Sequence, residues 1–168
     1  MEHFFWITSR SAGIVALLAS SLAVALGLMM ARRSRLPDLR VTHEALSLAT
    51  IAALVVHALA LLGDSFMSPS LADITIPFVS SYKTLWTTTG IVAGWMLILL
   101  GLSYYFRAKI GPARWRYLHR FTALAWVLGV VHSIGEGTDA GAAWFLVAAA
   151  AVVVPAGALL AARLAPAT

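Results

Sequence analysis

The chain has 168 residues, 61% of them hydrophobic and 11% charged, with a mean hydropathy of +0.87. Soluble domains average about 45–50% apolar and about 25% charged residues, so this composition excludes a soluble single-domain enzyme and is too hydrophobic for disorder. The net charge of +5 points to nucleic acid only if the charges share one basic face, and the lack of cysteine excludes disulfides, iron–sulfur clusters, zinc–thiolate sites and thiol nucleophiles.

A helix crossing a hydrocarbon core of about 30 Å needs about 20 mainly apolar residues. Five stretches are expected to cross: 11–31, 41–63, 84–106, 117–135 and 140–162. The first is uncharged and is followed, not preceded, by Arg32 and Arg33, which marks a retained span and not a cleaved signal peptide. The second carries His57 in a stretch free of charge from Ala45 onward. Between the second and third lies the longest loop, Asp64 to Lys83, with Pro69, Pro77 and the apolar run Leu71 to Val79. It is expected either to lie on the outer surface as a short amphipathic segment or to cap whatever the helices enclose. In the third, Gly90, Gly94 and Gly101 give small surfaces for close approach of a helix or a flat ligand. The fourth is the weakest, because Arg120 leaves only the run Phe121 to Gly135 uncharged, and its first turn is expected at headgroup level. Pro155 is expected to kink the fifth. No internal repeat and no soluble domain at either end is evident.

Charge bias sets the expected orientation. Arg32, Arg33, Arg35, Arg40, Arg107, Lys109, Arg114, Arg116, Arg120 and Arg163 fall on one side with only Asp38 and Glu44, a net +8. Arg10 and Lys83 fall on the other with Glu2, Asp64, Asp73, Glu136 and Asp139, a net −3. The expected fold is therefore an all-α bundle of five transmembrane helices, N-terminus outside and C-terminus cytoplasmic, in the plasma membrane. The +5 is an orientation signal and no nucleic-acid partner is expected. Trp6, Trp86 and Trp144 near outer helix ends, with Tyr104, Tyr105, Trp115 and Tyr117 near inner ones, fit an interfacial aromatic belt.

Polar rings inside a span are costly and mark function or a buried partner. His3 sits at the terminus without a role; the other four form two pairs. His43 and His57 are separated by about 21 Å along a helix and lie within about 40° of one face. No single ion bridges that distance, so each needs a ligand from another helix. The second and fourth helices run in the same direction, which levels His43 with His119 near the inner surface and His57 with His132 near the outer one. Facing neutral imidazoles suit a six-coordinate haem iron with the porphyrin filling the gap. Zinc or copper would want three or four clustered ligands, and Glu44 points about 100° away from His43. The spacing of His119 and His132, one position shorter than that of His43 and His57, sets them about 140° apart on an ideal helix. Either the fourth helix deviates between them, with Gly129 a place that could ease an irregularity, or His119 approaches from a frayed first turn.

The segment WRYLHRFTALAWVLGVVHSIGEG (Trp115 to Gly137) resembles the haem-binding helix of the ferric reductase-like transmembrane family, and RVTHEALSLATIAALVVHALALLGD (Arg40 to Asp64) resembles its partner helix. That family includes NADPH oxidases, iron reductases, STEAP-type reductases and the haem subunit of bacterial methionine sulfoxide reductase. The resemblance implies haem b, with His43 and His119 as iron ligands of an inner haem and His57 and His132 of an outer one. One-haem members leave a single haem as the alternative. Many relatives carry a cytoplasmic domain for FAD and NADPH; here the sequence runs only from Arg163 to Thr168 beyond the fifth stretch, with no dinucleotide fingerprint. Electrons are therefore expected from a separate flavoprotein or from quinol, and an extracytoplasmic acceptor is expected to take them.

Arg40, Arg116 and Arg120 could pair with haem propionates or with lipid headgroups, and Lys83 could do the same outside. Trp126, midway between His119 and His132, could shorten a path between haems or simply pack or face lipid. Two other classes of function fit the same residues: a transporter whose histidines relay protons or metal ions, and a structural subunit whose histidines hydrogen-bond between helices.

Overall fold

The computed structural model describes residues 3–32 and 37–165. Among the described residues there is no strand. The helices are α1 (Phe4–Arg32), α2 (Pro37–Leu62), α3 (Leu71–Thr75), α4 (Thr84–Leu102), α5 (Arg107–Ile110), α6 (Pro112–His119), α7 (Thr122–Glu136) and α8 (Ala143–Leu164), and a 3₁₀ turn, Ser103–Phe106, joins α4 to α5. Arg33, Arg35 and Glu2, used above to weigh charge, lie outside the described residues.

Among the described residues, four stretches are long and apolar enough to cross a membrane: Phe4–Ala31, Leu39–Leu62, Thr84–Ile110 and Ala143–Leu164. The first begins at Phe4, earlier than the charge-free run suggested, so Arg10 lies within α1. The fourth expected span is divided. Gly111, at φ 92°, and Pro112 at the first helical position start α6, which ends at His119; α7 resumes at Thr122. With 15 residues, or about 22 Å, α7 alone falls short of the usual spanning length. The expected irregularity is thus present, but at Arg120–Phe121 and not at Gly129, through which α7 runs unbroken. There the Arg120 and Phe121 amides bond to the carbonyls of Tyr117 and Leu118 in i→i−3 fashion. Such turns advance about 120° per residue against about 100° in an α-helix, which supplies part of the rotation that the His119–His132 spacing lacks. α8 continues through Pro155 without a break.

The interior is built around α1. Of its buried positions all but Leu17 are small, and Ser9, Ala12, Ala16, Ala19 and Ala23 recur every three or four residues, so neighbouring backbones come close. The Ser20 and Ser21 hydroxyls turn back to the Leu17 carbonyl, which satisfies them within the helix. α1 packs along α2 and touches α7 and α8, while α4 packs along α7. α2 and α7 barely touch. α2, with His43 and His57, and α7, with His132, are thereby held apart by α1 and α4, leaving a slot between them; His119 ends the short α6. Large apolar side chains such as Val41, Leu59, Leu85, Leu99, Val147 and Val154 stay exposed on the outside of the bundle, the pattern of a chain whose solvent is lipid and not water.

The segment between α2 and α4 is folded, not loose. Ser70 caps α3 in a capping box with Asp73, and the Ser70 hydroxyl and backbone N–H hold the Asp73 carboxyl below its usual pKa. The Trp95 indole N–H, from the middle of α4, donates to the Thr75 carbonyl at 2.9 Å, and the Phe78 amide donates to Thr88 Oγ1 at 3.0 Å. The segment is thus tied to α4 well below that helix's outer end.

Candidate functional site

The four histidines form the two pairs that their spacing suggested. The ring centroids of His43 and His119 lie 6.2 Å apart with planes at 84°, and those of His57 and His132 lie 6.4 Å apart at 76°. An imidazole centroid sits about 1.1 Å from its Nε2, and metal–imidazole bonds run about 2.0–2.1 Å. Two rings on opposite sides of one ion therefore place their centroids about 6.3 Å apart. Both pairs stand at that separation. No cluster of three or more His, Cys, Asp or Glu suited to a metal ion exists among the described residues. Glu44 is turned aside and accepts a hydrogen bond from the Tyr105 hydroxyl at 2.8 Å.

Three of the four rings are held by the same device. His57 Nδ1 donates to the Ser9 carbonyl at 2.8 Å, His43 Nδ1 to the Ala23 carbonyl at 2.8 Å, and His132 Nδ1 to the Trp86 carbonyl at 2.9 Å. A carbonyl only accepts, so each Nδ1 carries the proton and each Nε2 keeps its lone pair for a ligand bond. One helical turn after each carbonyl stands a glycine. A Cβ at Gly13 would come within 3.2 Å of the His57 ring, one at Gly27 within 3.2 Å of His43, and one at Gly90 within 2.5 Å of His132. The step from Gly13 to Gly27 on α1 equals the step from His43 to His57 on the antiparallel α2, so both grips fall in register.

His119 is held differently. Its ring stacks on Trp115, centroids 4.9 Å apart and planes at 26°. Trp115 is in turn fixed by an indole hydrogen bond to Ser103 Oγ at 3.1 Å and by the edge of Tyr104. The His119 Nδ1 makes no hydrogen bond among the described residues.

A cavity of about 590 Å³ opens at the outer pair, within the range of small-molecule and cofactor sites. His57 and His132 line it, with Gly13, Gly90, Gly94 and Trp126. Leu71, Ile74 and Thr75 of the segment between α2 and α4 also line it, although no residue of α3 is buried. At its outer rim Arg10 grips the Asp139 carboxylate with two nitrogens while its guanidinium lies over Trp6. His43 and His119 are not among its walls. Trp126 is buried, not lipid-facing, and its indole N–H donates to Ser21 Oγ at 2.9 Å.

Arg40, Arg116 and Arg120 are exposed and form no hydrogen bond or ion pair among the described residues. Lys83 donates to the Gly135 carbonyl at 3.0 Å, pinning the start of α4 to the end of α7. Sequence reasoning missed Ser9, Gly13, Ala23, Gly27 and Trp86 as the histidines' supports and Arg10–Asp139 as the cavity's rim. The equal spacing of Gly13–Gly27 and His43–His57 was a signal that could have found the first group.

The family described as ferric reductase-like transmembrane component matches residues 12–130, well over half the chain. The match takes in His43, His57 and His119 and stops just before His132. No curated protein and no solved structure matches the chain. With two cross-helix histidine pairs in an apolar helical bundle and a family match of this extent, the chain belongs to the ferric reductase-like transmembrane components and is a multi-pass membrane protein with the character of an electron-transfer subunit.

Proposed function

We propose that the protein is a b-type cytochrome that carries electrons across the plasma membrane through two haems, as the membrane subunit of a reductase. The observation that carries this reading is the separation of the two imidazole pairs, 6.2 and 6.4 Å, at which one iron fits between each. His43 and His119 would hold the inner haem, His57 and His132 the outer one. Each bound haem would supply a one-electron couple suited to electron transfer, held by one imidazole from each of the two residues of its pair.

The protein's own residues do the rest. The slot between α2 and α7 sets the ligands on facing helices, and the carbonyl grips present Nε2 toward it. The glycines leave no side chain beside the rings, and Leu71, Ile74 and Thr75 of the segment around α3 contribute to the wall of the cavity at His57 and His132. Arg40, Arg116 and Arg120 are free to meet inner propionates or headgroups. In this reading α6 lies at the cytoplasmic surface and α7 completes a fifth span, with the N-terminus outside. A separate flavoprotein or quinol would supply electrons from the cytoplasmic side, and an extracytoplasmic acceptor would take them at the other.

Purified from haem-replete cells, the protein should be red, give a b-type spectrum with dithionite and contain about two haems per chain. His57→Ala should remove one haem and leave the other. A folded but colourless protein would sink this reading.

A further inference from the structure

Three histidines repeat one arrangement, a carbonyl at position i and a glycine at i+4: Ser9 with Gly13, Ala23 with Gly27, Trp86 with Gly90. On α4 the register that would serve a fourth is present. Leu100 follows Trp86 by the same interval that separates Ser9 from Ala23. Its i+4 position, however, is Tyr104, which lies in the 3₁₀ turn after α4 has ended. The grip is therefore incomplete. His119 lacks a good Nδ1 hydrogen bond and is the last residue of the short α6, beyond the break that separates it from His132. What orients its ring is the Trp115 stack.

We propose that His119 is the exchangeable ligand of the four: Trp115 positions it, and a small neutral ligand of haem iron can take its place at the inner pair while the outer pair stays closed. This rests on the two-haem reading above. In such an exchange the His119 Nε2–iron bond breaks and one bond from iron to the incoming ligand forms, with no change of oxidation state. A ring without an Nδ1–H···O=C bond is the weaker donor, and His119 can swing on α6 without moving the spanning part of α7. His57, His132 and His43 are fixed both by a hydrogen bond and by a backbone packed flat against the ring.

The test uses the full chain with its haem, in detergent or nanodiscs, reduced with dithionite and exposed to carbon monoxide. One of the two haems should shift to a carbonyl spectrum and the other should not. Trp115→Ala should speed carbon monoxide binding at least tenfold and shift the midpoint potential of that haem alone. Trp115→Phe, which keeps an aromatic stack, should restore most of the wild-type rate. Gly90→Ala should disturb the other, unreactive haem.

Carbon monoxide binding at both haems, at neither, or at the haem that Gly90→Ala disturbs would overturn the proposal. So would a Trp115→Ala protein with unchanged rate and potential. A wild-type chain with no haem overturns the two-haem reading along with it; a two-haem chain that fails these measurements overturns only the assignment of His119.

Discussion

A ring nitrogen that must meet iron has to be aimed by something, and here the aim comes from backbone. Gly90 is the tightest case: a Cβ there would sit 2.5 Å from His132 Nδ1, closer than two such atoms approach. The alanine at Gly90→Ala can be housed only if His132 turns or α4 withdraws from α7, an overpacking cost of about 1–3 kcal/mol. The expected outcome is loss of the outer haem, or a changed electron paramagnetic resonance signal from it, with the inner haem intact; haem stoichiometry and spectrum check it. The histidines themselves were legible in the sequence because they are polar rings in stretches with almost nothing else polar. Their supports were not, since a main-chain carbonyl has no residue type. Ser9, Ala23 and Trp86 share no chemistry that matters here, only their place in the helix. Arg10 was legible as a charge but not as the partner of Asp139. The two are far apart in the chain, and only the packing of α1 against the α7–α8 connection brings them together.

Between elements the governing quantity is rotation. On α2 the step from His43 to His57 is close to a whole number of turns, which brings both to one face, and the straight helix needs no correction. One alanine inserted between Ala52 and Ala53 would turn His57 by about 100° relative to His43, swinging one ring out of the slot between α2 and α7. The expected result is a fall from about two haems per chain to about one. One alanine inserted between Arg120 and Phe121 falls where the helix is already interrupted, and the turn can absorb it; haem content should change much less. Pyridine haemochrome assay of the two insertions side by side checks the contrast. The sequence predicted that His119 and His132 could not share one face of a regular helix, and periodicity alone could say no more. The position of the break depends on local chemistry. Pro112 and the glycine before it set where α6 begins, and the basic, polar run Arg114 to Arg120 leaves the apolar stretch to start only at Phe121. The outer segment was the other ambiguous element, and its place over the cavity follows from the Trp95–Thr75 and Phe78–Thr88 hydrogen bonds, long-range contacts with no trace in local pattern.

At the scale of the molecule, direction across the membrane and the number of crossings are one question, because α7 is too short to answer it by length. The histidine pairs supply the ruler. His43 pairs with His119 at one end of the slot and His57 with His132 at the other, about 21 Å away along α2, so the run from His119 at the end of α6 through α7 covers the same length as that stretch of α2. The Arg10–Asp139 ion pair and the Lys83–Gly135 hydrogen bond tie the far end of α7 to the outer starts of α1 and α4. In the five-span reading proposed above, Thr138 and Phe66 emerge on one side of the bilayer and Lys109 and Arg116 on the other. The chain has no cysteine, so single substitutions give a background-free readout, and all four positions are exposed. Phe66→Cys and Thr138→Cys should react with a membrane-impermeant maleimide added outside intact cells, while Lys109→Cys and Arg116→Cys should react only after lysis. Labelling of Thr138→Cys together with Arg116→Cys would mean that α7 does not cross, and full inversion of the pattern would reverse the bundle. The charge asymmetry argues against inversion, since ten basic side chains against two acidic ones would then have to be carried across the membrane.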